Sequence, residues 1–91
     1  ACILKFYSGI TPNEDGINDE WIIENIEAFP TNEVKIYDRY GLKVYEATNY
    51  DNVSRVWDGD NLSGGALPSD TYFYIFTADE ITEKGWIELT R

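Results

Sequence analysis

The sequence predicts an all-β domain, and three observations support that prediction. Aromatic residues make up 15% of the 91 residues, and Tyr, Phe and Trp are enriched in strands. Apolar and polar residues alternate with a period of two in several short segments, which turn-forming residues separate about every ten residues. No segment shows a convincing helical period. This pattern predicts an immunoglobulin-like antiparallel β-sandwich of about seven short strands.

The first half of the chain contains the clearest predicted hairpin. Residues 33–40 alternate between apolar and polar, and a turn at Tyr40-Gly41 leads into a second strand at residues 42–47. Ahead of this hairpin, residues 2–7 predict an opening strand. Residues 21–23 predict another short strand, which an irregular segment follows.

The second half of the chain predicts the central strand of the sheet. Residues 71–78 contain Tyr-Phe-Tyr-Ile-Phe, with aromatic side chains on both faces, as expected for a strand covered on both sides. Residues 84–91 predict a closing strand that pairs antiparallel with it across Asp79-Glu80. Residues 50–56 are polar and predict a connection, whereas Trp57 is predicted to fill the core.

The length and charge of the chain limit its function classes. Ninety-one residues correspond to a single domain, here residues 1–91. Seventeen acidic residues against seven basic ones give a formal net charge of −10, which would repel nucleic acid and anionic lipid surfaces. The same acidity suits solubility outside the cell or attraction to a basic receptor surface. No nucleic acid is therefore expected as a partner.

The 91-residue sequence contains no pattern typical of a membrane-spanning helix or of a signal peptide. No stretch approaches the ~20 apolar residues that a spanning helix needs, and no basic segment precedes an apolar one at the N-terminus. A chain that opens on a strand-like segment without an initiator Met is expected to be excised from a larger secreted protein.

The sequence lacks the residue types on which many enzymes depend. It contains no His and a single cysteine, Cys2, which excludes an internal disulfide, a Cys/His zinc site and a Cys-His nucleophilic pair. Neither a GxSxG nucleophile elbow nor a phosphate-binding glycine loop is present. Carboxylates are plentiful, but a domain of this size offers little depth for a substrate cleft. We therefore expect no catalytic residues and no enzymatic activity.

A polar loop at residues 11–21 is the most informative segment of the chain. Its short oxygen-bearing side chains are those of Asn13, Asp15, Asn18 and Asp19. They are expected either to accept hydrogen bonds from backbone N–H groups of the loop or to bind a partner or a cation. An EF-hand alignment fails, because it places Ile22 where a bidentate Glu is required. A looser calcium site of Asn13, Asp15 and Asp19 stays open, and no other cofactor is expected.

Several motifs occur along the chain in a characteristic order. The loop sequence Pro12-Asn13-Glu14-Asp15-Gly16-Ile17-Asn18-Asp19 comes first. The later motifs are Val34-Lys35-Ile36-Tyr37-Asp38-Arg39-Tyr40-Gly41, Val44-Tyr45-Glu46, Trp57-Asp58-Gly59, Leu67-Pro68-Ser69-Asp70-Thr71-Tyr72-Phe73-Tyr74 and Lys84-Gly85-Trp86-Ile87 up to Arg91. This ordered set resembles the type B C-terminal sorting domains of the Bacteroidota type IX secretion system, also called gliding motility-associated C-terminal domains. The resemblance covers nearly the whole chain.

Two positions depart from the pattern of that family. Glu14 and Asp70 stand where the family usually has Gly. Asp tolerates left-handed backbone conformations better than most non-glycine residues, so the turn at Asp70 is expected to survive the change. Glu14 adds charge to the loop without breaking it.

The resemblance implies that the domain is a sorting signal rather than an enzyme. Domains of this family sit at the C-terminus of cargo proteins, often adhesins, and direct them through the type IX secretion system across the outer membrane. They are also associated with an outer-membrane partner of the PorP/SprF type, which holds the cargo at the cell surface. The implied location is outside the cell or on its surface, after transit through the periplasm.

The candidate partner-binding surface combines the polar loop with the closing strand. Its residues are Pro12, Asn13, Asp15, Gly16, Asn18 and Asp19 in the loop, and Lys84, Gly85, Trp86 and Arg91 in the strand. An exposed final strand can be recognised by main-chain pairing together with a few side-chain pockets. The alternative function is an extracellular immunoglobulin-like adhesion or ligand-binding module, assisted by calcium or not. A structural stalk domain without a ligand is a third option.

Overall fold

The computed structural model describes residues 4–11, 19–53, 55–61 and 64–90. Within these residues the strands are β1 Lys5–Phe6, β2 Gly9–Ile10, β3 Ile23–Glu24, β4 Glu33–Tyr37, β5 Lys43–Thr48, β6 Asp70–Ala78 and β7 Ile81–Leu89. A single 3₁₀ turn, Ile26–Ala28, lies between β3 and β4. The predicted all-β class and the predicted number of strands are confirmed.

Most of these strands form one sheet in the order β2-β7-β6-β4-β5. β6 lies at its centre, as predicted, paired antiparallel with β7 along its whole length and with β4 on its other side. The order β7-β6-β4-β5 corresponds to the G-F-C-C′ order of immunoglobulin-like sandwiches. β2 departs from the antiparallel pattern, because its two residues pair parallel with Glu88 and Leu89 at the end of β7.

The β4–β5 hairpin forms as predicted, and its pairing contains a bulge. Tyr37 pairs with Lys43 and Ile36 pairs with Tyr45, so that Val44 is the extra residue on β5. Val44 is buried and Tyr45 is half-buried. The bulge therefore brings two consecutive side chains of β5 to the core face.

The turn of this hairpin is organised by Asp38. Its Oδ1 atom accepts hydrogen bonds from the N–H groups of Tyr40 and Leu42, both at 2.9 Å. Gly41 has a φ angle of 83°, a left-handed conformation that costs glycine little. The predicted turn at Tyr40-Gly41 lies inside this loop.

Among the described residues, the second layer of the sandwich contains little regular structure. β1 and β3 form a two-stranded antiparallel sheet, and asparagine side chains extend the pairing beyond it. The Asn52 amide accepts from the N–H of Ile23 at 2.9 Å and donates to the C=O of Ile23 at 2.8 Å. Asn32 makes the same two bonds with Tyr50. These amides satisfy main-chain groups that a longer strand would otherwise pair.

The core between the layers is largely aromatic. Its largest fully buried side chains are Trp21, Trp57, Tyr50, Tyr72 and Phe76. The Tyr50 hydroxyl donates to the C=O of Trp21 and accepts from the N–H of Trp57 at 2.7 Å. Burial raises the pKa of Tyr50, so its hydroxyl remains a hydrogen-bond donor. The prediction that Trp57 fills the core is confirmed.

The start of β6 is tied to the segment that precedes it. The Tyr72 hydroxyl donates to the C=O of Pro68 at 2.8 Å. A tyrosine near the start of a central strand that bonds backbone a few residues upstream is the tyrosine corner of immunoglobulin-like sandwiches. Leu67 is buried, and its N–H donates to the C=O of Gly59 at 2.9 Å. The Leu-Pro motif thereby fixes where β6 enters the sheet.

The prediction that β6 is covered on both faces is wrong. Phe73 is 45% exposed, and its neighbour Trp86 on β7 is 57% exposed. The described part of the second layer packs on the opposite face of the sheet, against residues such as Tyr74 and Phe76. Aromatic residues on both faces of β6 therefore do not mean burial of both faces.

Two local predictions also need correction. β7 begins at Ile81 rather than at Lys84, because a two-residue turn is enough for the chain to reverse. Asp79 in that turn has a φ angle of 53°, which Asp tolerates better than most residues. Asp70 lies in extended backbone as the first residue of β6, opposite Leu89, and not in a left-handed turn.

Candidate functional site

The outer face of the five-stranded sheet carries a row of aromatic side chains. Tyr37 on β4 pairs with Phe73 on β6, which in turn pairs with Trp86 on β7. Directly opposed residues point to the same face of a sheet, so these three rings follow one another across three strands. Phe73 and Trp86 are exposed and Tyr37 is half-buried. We call these three residues the aromatic row.

A groove of about 600 Å³ contains the aromatic row. Its charged lining consists of Asp38, Arg39 and Lys84, and Ile75 adds to its apolar floor. The Asp38 carboxylate already accepts the two hydrogen bonds of the hairpin turn. In a chain of net charge −10, this groove carries two cations against one carboxylate.

The cations of the outer face differ in whether they have a carboxylate partner. The ion pairs are Lys35–Glu33 at 3.1 Å, Arg39–Asp70 at 3.5 Å and Lys43–Glu46 at 3.2 Å. Lys84 forms no ion pair with any residue that the structure describes. Its ammonium group is exposed beside Trp86 and is available to an external carboxylate.

The pairing of Arg39 with Asp70 uses one of the positions that depart from the family pattern. The guanidinium Nε lies 3.5 Å from Asp70 Oδ2, and Arg39 Nη2 donates to the hydroxyl of Tyr40 at 2.8 Å. The Tyr40 hydroxyl and, after it, the Asp70 carboxylate raise the pKa of Arg39. A glycine at position 70 has no carboxylate, so it would leave Arg39 without this ion pair.

Gly85 provides the space that the Tyr74 ring occupies. A Cβ atom at position 85 would lie 2.6–2.8 Å from the Tyr74 hydroxyl and ring carbons, closer than real Cβ contacts. The ring packs against both Phe6 and Trp21, at centroid distances of 5.1 and 4.9 Å. Gly85 therefore has a packing role in β7, and its predicted role in recognition stays a prediction.

The edge of β7 that faces away from β6 is only partly paired. β2 covers its end, where the N–H of Glu88 donates to Ser8 C=O at 2.7 Å. Because strand residues alternate, the N–H and C=O groups of Trp86, Lys84 and Thr82 point to the same edge as those of Glu88. Along these three residues, no strand within the described ranges lies on that edge.

The two predicted recognition segments meet at β2. Ile10 pairs with Leu89, and the C=O of Ile10 accepts a hydrogen bond from the N–H of Thr90 at 3.0 Å. The polar loop therefore leaves the sheet at Thr11, beside the end of β7. At its other end the loop returns to Trp21, whose indole N–H donates to Tyr7 C=O at 2.8 Å.

The predicted site residues fall into two groups. Asp19 is half-buried, Lys84 and Trp86 are exposed on the outer face, and Gly85 is half-buried. Outside the described residues lie Pro12, Asn13, Asp15, Gly16, Asn18 and Arg91. Two of the three predicted calcium ligands are among them. Within the described residues, no group of three or more His, Cys, Asp or Glu side chains could hold a metal ion.

Sequence reasoning missed most of the aromatic row and its groove. Tyr37, Phe73 and Arg39 were not among the predicted site residues, although the period of β6 holds a signal. Phe73 and Ile75 alternate with Tyr72, Tyr74 and Phe76, so a strand with one core face must turn one set outward. The choice of the outward set follows from which face the second layer covers.

A family comparison matches this chain over residues 4–89, and the matching family is described as CHU_C Type IX secretion signal domain. The chain belongs to this family. The family assignment confirms the resemblance drawn from the ordered motifs. No match was found among curated proteins.

A CHU_C domain acts as a sorting signal for type IX secretion, and the family is defined by that role rather than by a catalytic one. Cargo that carries such a signal is secreted or displayed at the cell surface. In the described part of the chain, no helix has the length and apolar character required to cross a bilayer.

Proposed function

We propose that this CHU_C domain delivers its cargo to the type IX translocon and then holds it at the cell surface by binding a PorP/SprF-type outer-membrane barrel protein. The observation that supports this proposal is the aromatic row on the outer face of the sheet, next to the edge of β7 along which no described strand pairs with Thr82, Lys84 or Trp86. Exposed aromatic rings and arginine side chains are enriched at protein interfaces, and Arg39 lines the same groove as the aromatic row.

The position of the aromatic row argues for binding rather than for stability. The core lies on the other face of the sheet, where Tyr74, Phe76 and Ile87 are buried. Phe73 and Trp86 keep about half of their surfaces in water, so they contribute less to folding than their size allows. A contiguous exposed apolar patch on a small domain commonly marks an interaction site.

The proposed recognition surface includes the polar loop as well as β7. The predicted loop residues are Pro12, Asn13, Asp15, Gly16, Asn18 and Asp19, and the predicted strand residues are Lys84, Gly85, Trp86 and Arg91. One observation supports a surface made of both segments: Thr11 and Thr90 flank the same short β2–β7 pairing. A partner that approaches the end of β7 would therefore contact the base of the loop.

The proposal is tested by fusing the domain to an unrelated periplasmic passenger in a type IX-competent host. We expect the passenger to reach the cell surface, and to remain there only when the cognate PorP/SprF-type protein is present. Retention of the passenger in the periplasm would contradict the sorting role of this particular chain. Surface retention that is unchanged without the barrel protein would contradict the anchoring half of the proposal.

A matched pair of variants locates the surface. Trp86→Ser removes an exposed ring from the aromatic row, whereas Val53→Ser removes an exposed apolar side chain elsewhere, 81% exposed. We expect the first change to reduce surface retention and the second to leave it unchanged. Equal effects of the two changes on surface retention would show that retention depends on general surface apolarity and not on the aromatic row.

The aromatic row also suits the alternative function, an extracellular adhesion or ligand-binding module. Rings on an open sheet face can stack on a glycan or pack against a protein. The fusion assay separates the two functions, because an adhesion module has no reason to carry an unrelated passenger across the outer membrane.

A further inference from the structure

We propose that the free edge of β7 at Thr82, Lys84 and Trp86 binds an extended peptide segment of the outer-membrane partner as an added strand. That segment carries a carboxylate opposite Lys84 and an apolar side chain against the aromatic row. The inference rests on the proposed function and deepens it, because it specifies the chemistry by which the partner is held. We call Thr82, Lys84 and Trp86 the β7 edge.

The backbone of β7 carries hydrogen-bonding groups along this edge. Thr82, Lys84 and Trp86 share the edge on which Glu88 N–H bonds to Ser8 C=O, and β2 pairs with β7 only at Glu88 and Leu89. Within the described residues, no strand pairs with the donors and acceptors of the β7 edge, and such groups can pair with an added strand. Main-chain groups of this kind are what a peptide uses when it adds to a sheet.

The pairing of β2 also sets the length of the added strand. β2 occupies the last residues of β7, so the added strand can run only from Ile81 to about Ile87. This length fits an ordinary strand of about five or six residues. The site is therefore closed at one end by β2 and open at the other, beside the Asp79–Glu80 turn.

The side chains of the β7 edge determine which residues of an added strand would fit. Lys84 and Trp86 both line the groove, and alternate side chains of an added strand would lie next to them on that face. Lys84 has no ion-pair partner among the described residues, in a chain of net charge −10. A carboxylate on the added strand is therefore the complementary group, and an apolar side chain two positions away would meet Trp86.

The opposite edge of the sheet lacks the combination of a lysine without an ion-pair partner and a neighbouring aromatic row, within the described residues. β5 is also an edge strand, but its Lys43 is already paired with Glu46 at 3.2 Å. The aromatic row reaches β4 and ends there, at Tyr37. Protection against aggregation would be enough to explain an exposed lysine on an edge strand. The aromatic row beside Lys84 is the feature that a purely protective edge does not need.

Proline substitutions test the backbone argument. Lys84→Pro removes an N–H from the β7 edge and places a ring where the added strand would lie, without removing a hydrogen bond to β6. It also removes the ammonium group, so Lys84→Gln is measured beside it, and the additional loss of binding in Lys84→Pro is the backbone effect. Thr48→Pro is the matched control on the β5 edge, because Asn49 N–H points to β4 and the N–H of Thr48 points away from it. We expect the full domain carrying Lys84→Pro to bind the detergent-solubilised barrel protein about tenfold more weakly, and the control to bind normally.

Charge variants test the side-chain argument. We expect Lys84→Glu to weaken binding about as much as Lys84→Pro, because it reverses the charge, and Lys84→Arg to retain binding, because it keeps the positive charge. Normal binding by the Lys84→Glu domain would overturn the assignment of a carboxylate to the partner.

Tryptophan fluorescence gives a readout that needs no variant. Trp21 and Trp57 are fully buried, whereas Trp86 is 57% exposed, so a neutral quencher such as acrylamide reports mainly on Trp86. Addition of the barrel protein is expected to reduce quenching of the wild-type domain. This measurement shows whether the bound partner covers the β7 edge, even if Lys84→Pro does not fold.

The outcomes separate the inference from the proposed function. If the barrel protein binds the wild-type domain but leaves Trp86 open to quenching, the strand-addition inference is overturned and the anchoring proposal stands. If the barrel protein does not bind the wild-type domain at all, both are overturned. Loss of binding in Lys84→Pro with protection of Trp86 in the wild type supports both.

Discussion

Tyr74 and Gly85 are opposite each other on β6 and β7, and the tyrosine ring lies over the glycine so closely that a Cβ atom there would be 2.6 Å from its hydroxyl. The ring cannot retreat easily, because Phe6 and Trp21 pack against it. The glycine of the closing motif is thus required by the aromatic core, and not by a turn.

We therefore predict that Gly85→Ala lowers the free energy of unfolding by about 1–3 kcal/mol, the usual cost of overpacking. Gly9→Ala is the control, since a Cβ atom there would meet only Glu88 C=O at an ordinary 3.7 Å. Urea denaturation of both variants measures the difference. In a Tyr74→Ala background, Gly85→Ala should cost much less, and an unchanged cost would contradict the proposed clash.

The Tyr50 hydroxyl is predicted to stabilise the second layer by bridging two tryptophan backbones. Tyr50→Phe leaves the N–H of Trp57 and the C=O of Trp21 without this partner, so we expect a loss of about 1–3 kcal/mol. Tyr45→Phe removes the hydroxyl of a half-buried tyrosine and should be nearly neutral. Thermal melting of the two variants tests the comparison, which equal melting temperatures would contradict.

The same residue predicts a loss of stability at alkaline pH. Burial raises the pKa of Tyr50 above its unfolded value of about 10, so above that pH the folded state binds more protons than the unfolded chain. The free energy of unfolding is therefore expected to fall as pH rises beyond about 10. Burial also raises the pKa of Tyr45 and of Tyr74, so Tyr50→Phe should reduce the pH dependence without abolishing it.

Replacing Asn52 by aspartate, which has the same shape, is predicted to destabilise the fold. Asn52→Asp keeps an acceptor for Ile23 N–H but places a carboxylate against Ile23 C=O, which we expect to cost about 1–3 kcal/mol. Asn49→Asp is the control, because Asn49 has a similar positive φ of 59° and is exposed. A melting temperature of Asn52→Asp equal to that of the control would contradict the strand-partner role.

Exposed and buried tryptophans are predicted to respond differently to truncation. Trp86→Ser should cost about 0.2–1 kcal/mol, the range of a cross-strand pair. Trp57→Ser opens a cavity in the core and should cost about 3–5 kcal/mol. Chemical denaturation of the two variants measures this. A large loss for Trp86→Ser would mean that the outer face supports the fold rather than a partner.

The sequence predicted well those elements whose patterns are local. Alternation predicted the β4–β5 hairpin, and aromatic residues on both faces predicted β6 at the centre of the sheet, although Phe73 on one of those faces is exposed. Trp57 was correctly predicted as a core residue, because large aromatics near turns usually fill cores.

Features that depend on contacts between distant segments could not be predicted in this way. Asn52 and Ile23 are 29 positions apart, and no pattern in the sequence links an amide to the backbone that it bonds. Similarly, the exposure of Phe73 depends on which face of the sheet the second layer covers. The calcium interpretation of Asn13, Asp15 and Asp19 and the recognition role of the loop stay predictions.

The parallel pairing of β2 with the end of β7 has a mechanical consequence. Tension applied between residue 4 and residue 90 would load the bonds Glu88 N–H to Ser8 C=O and Thr90 N–H to Ile10 C=O in shear. Bonds loaded in shear must break together, whereas the bonds of a hairpin pulled from its open end break one after another. We therefore expect this pairing to resist tension along the chain better than a hairpin with the same number of hydrogen bonds would.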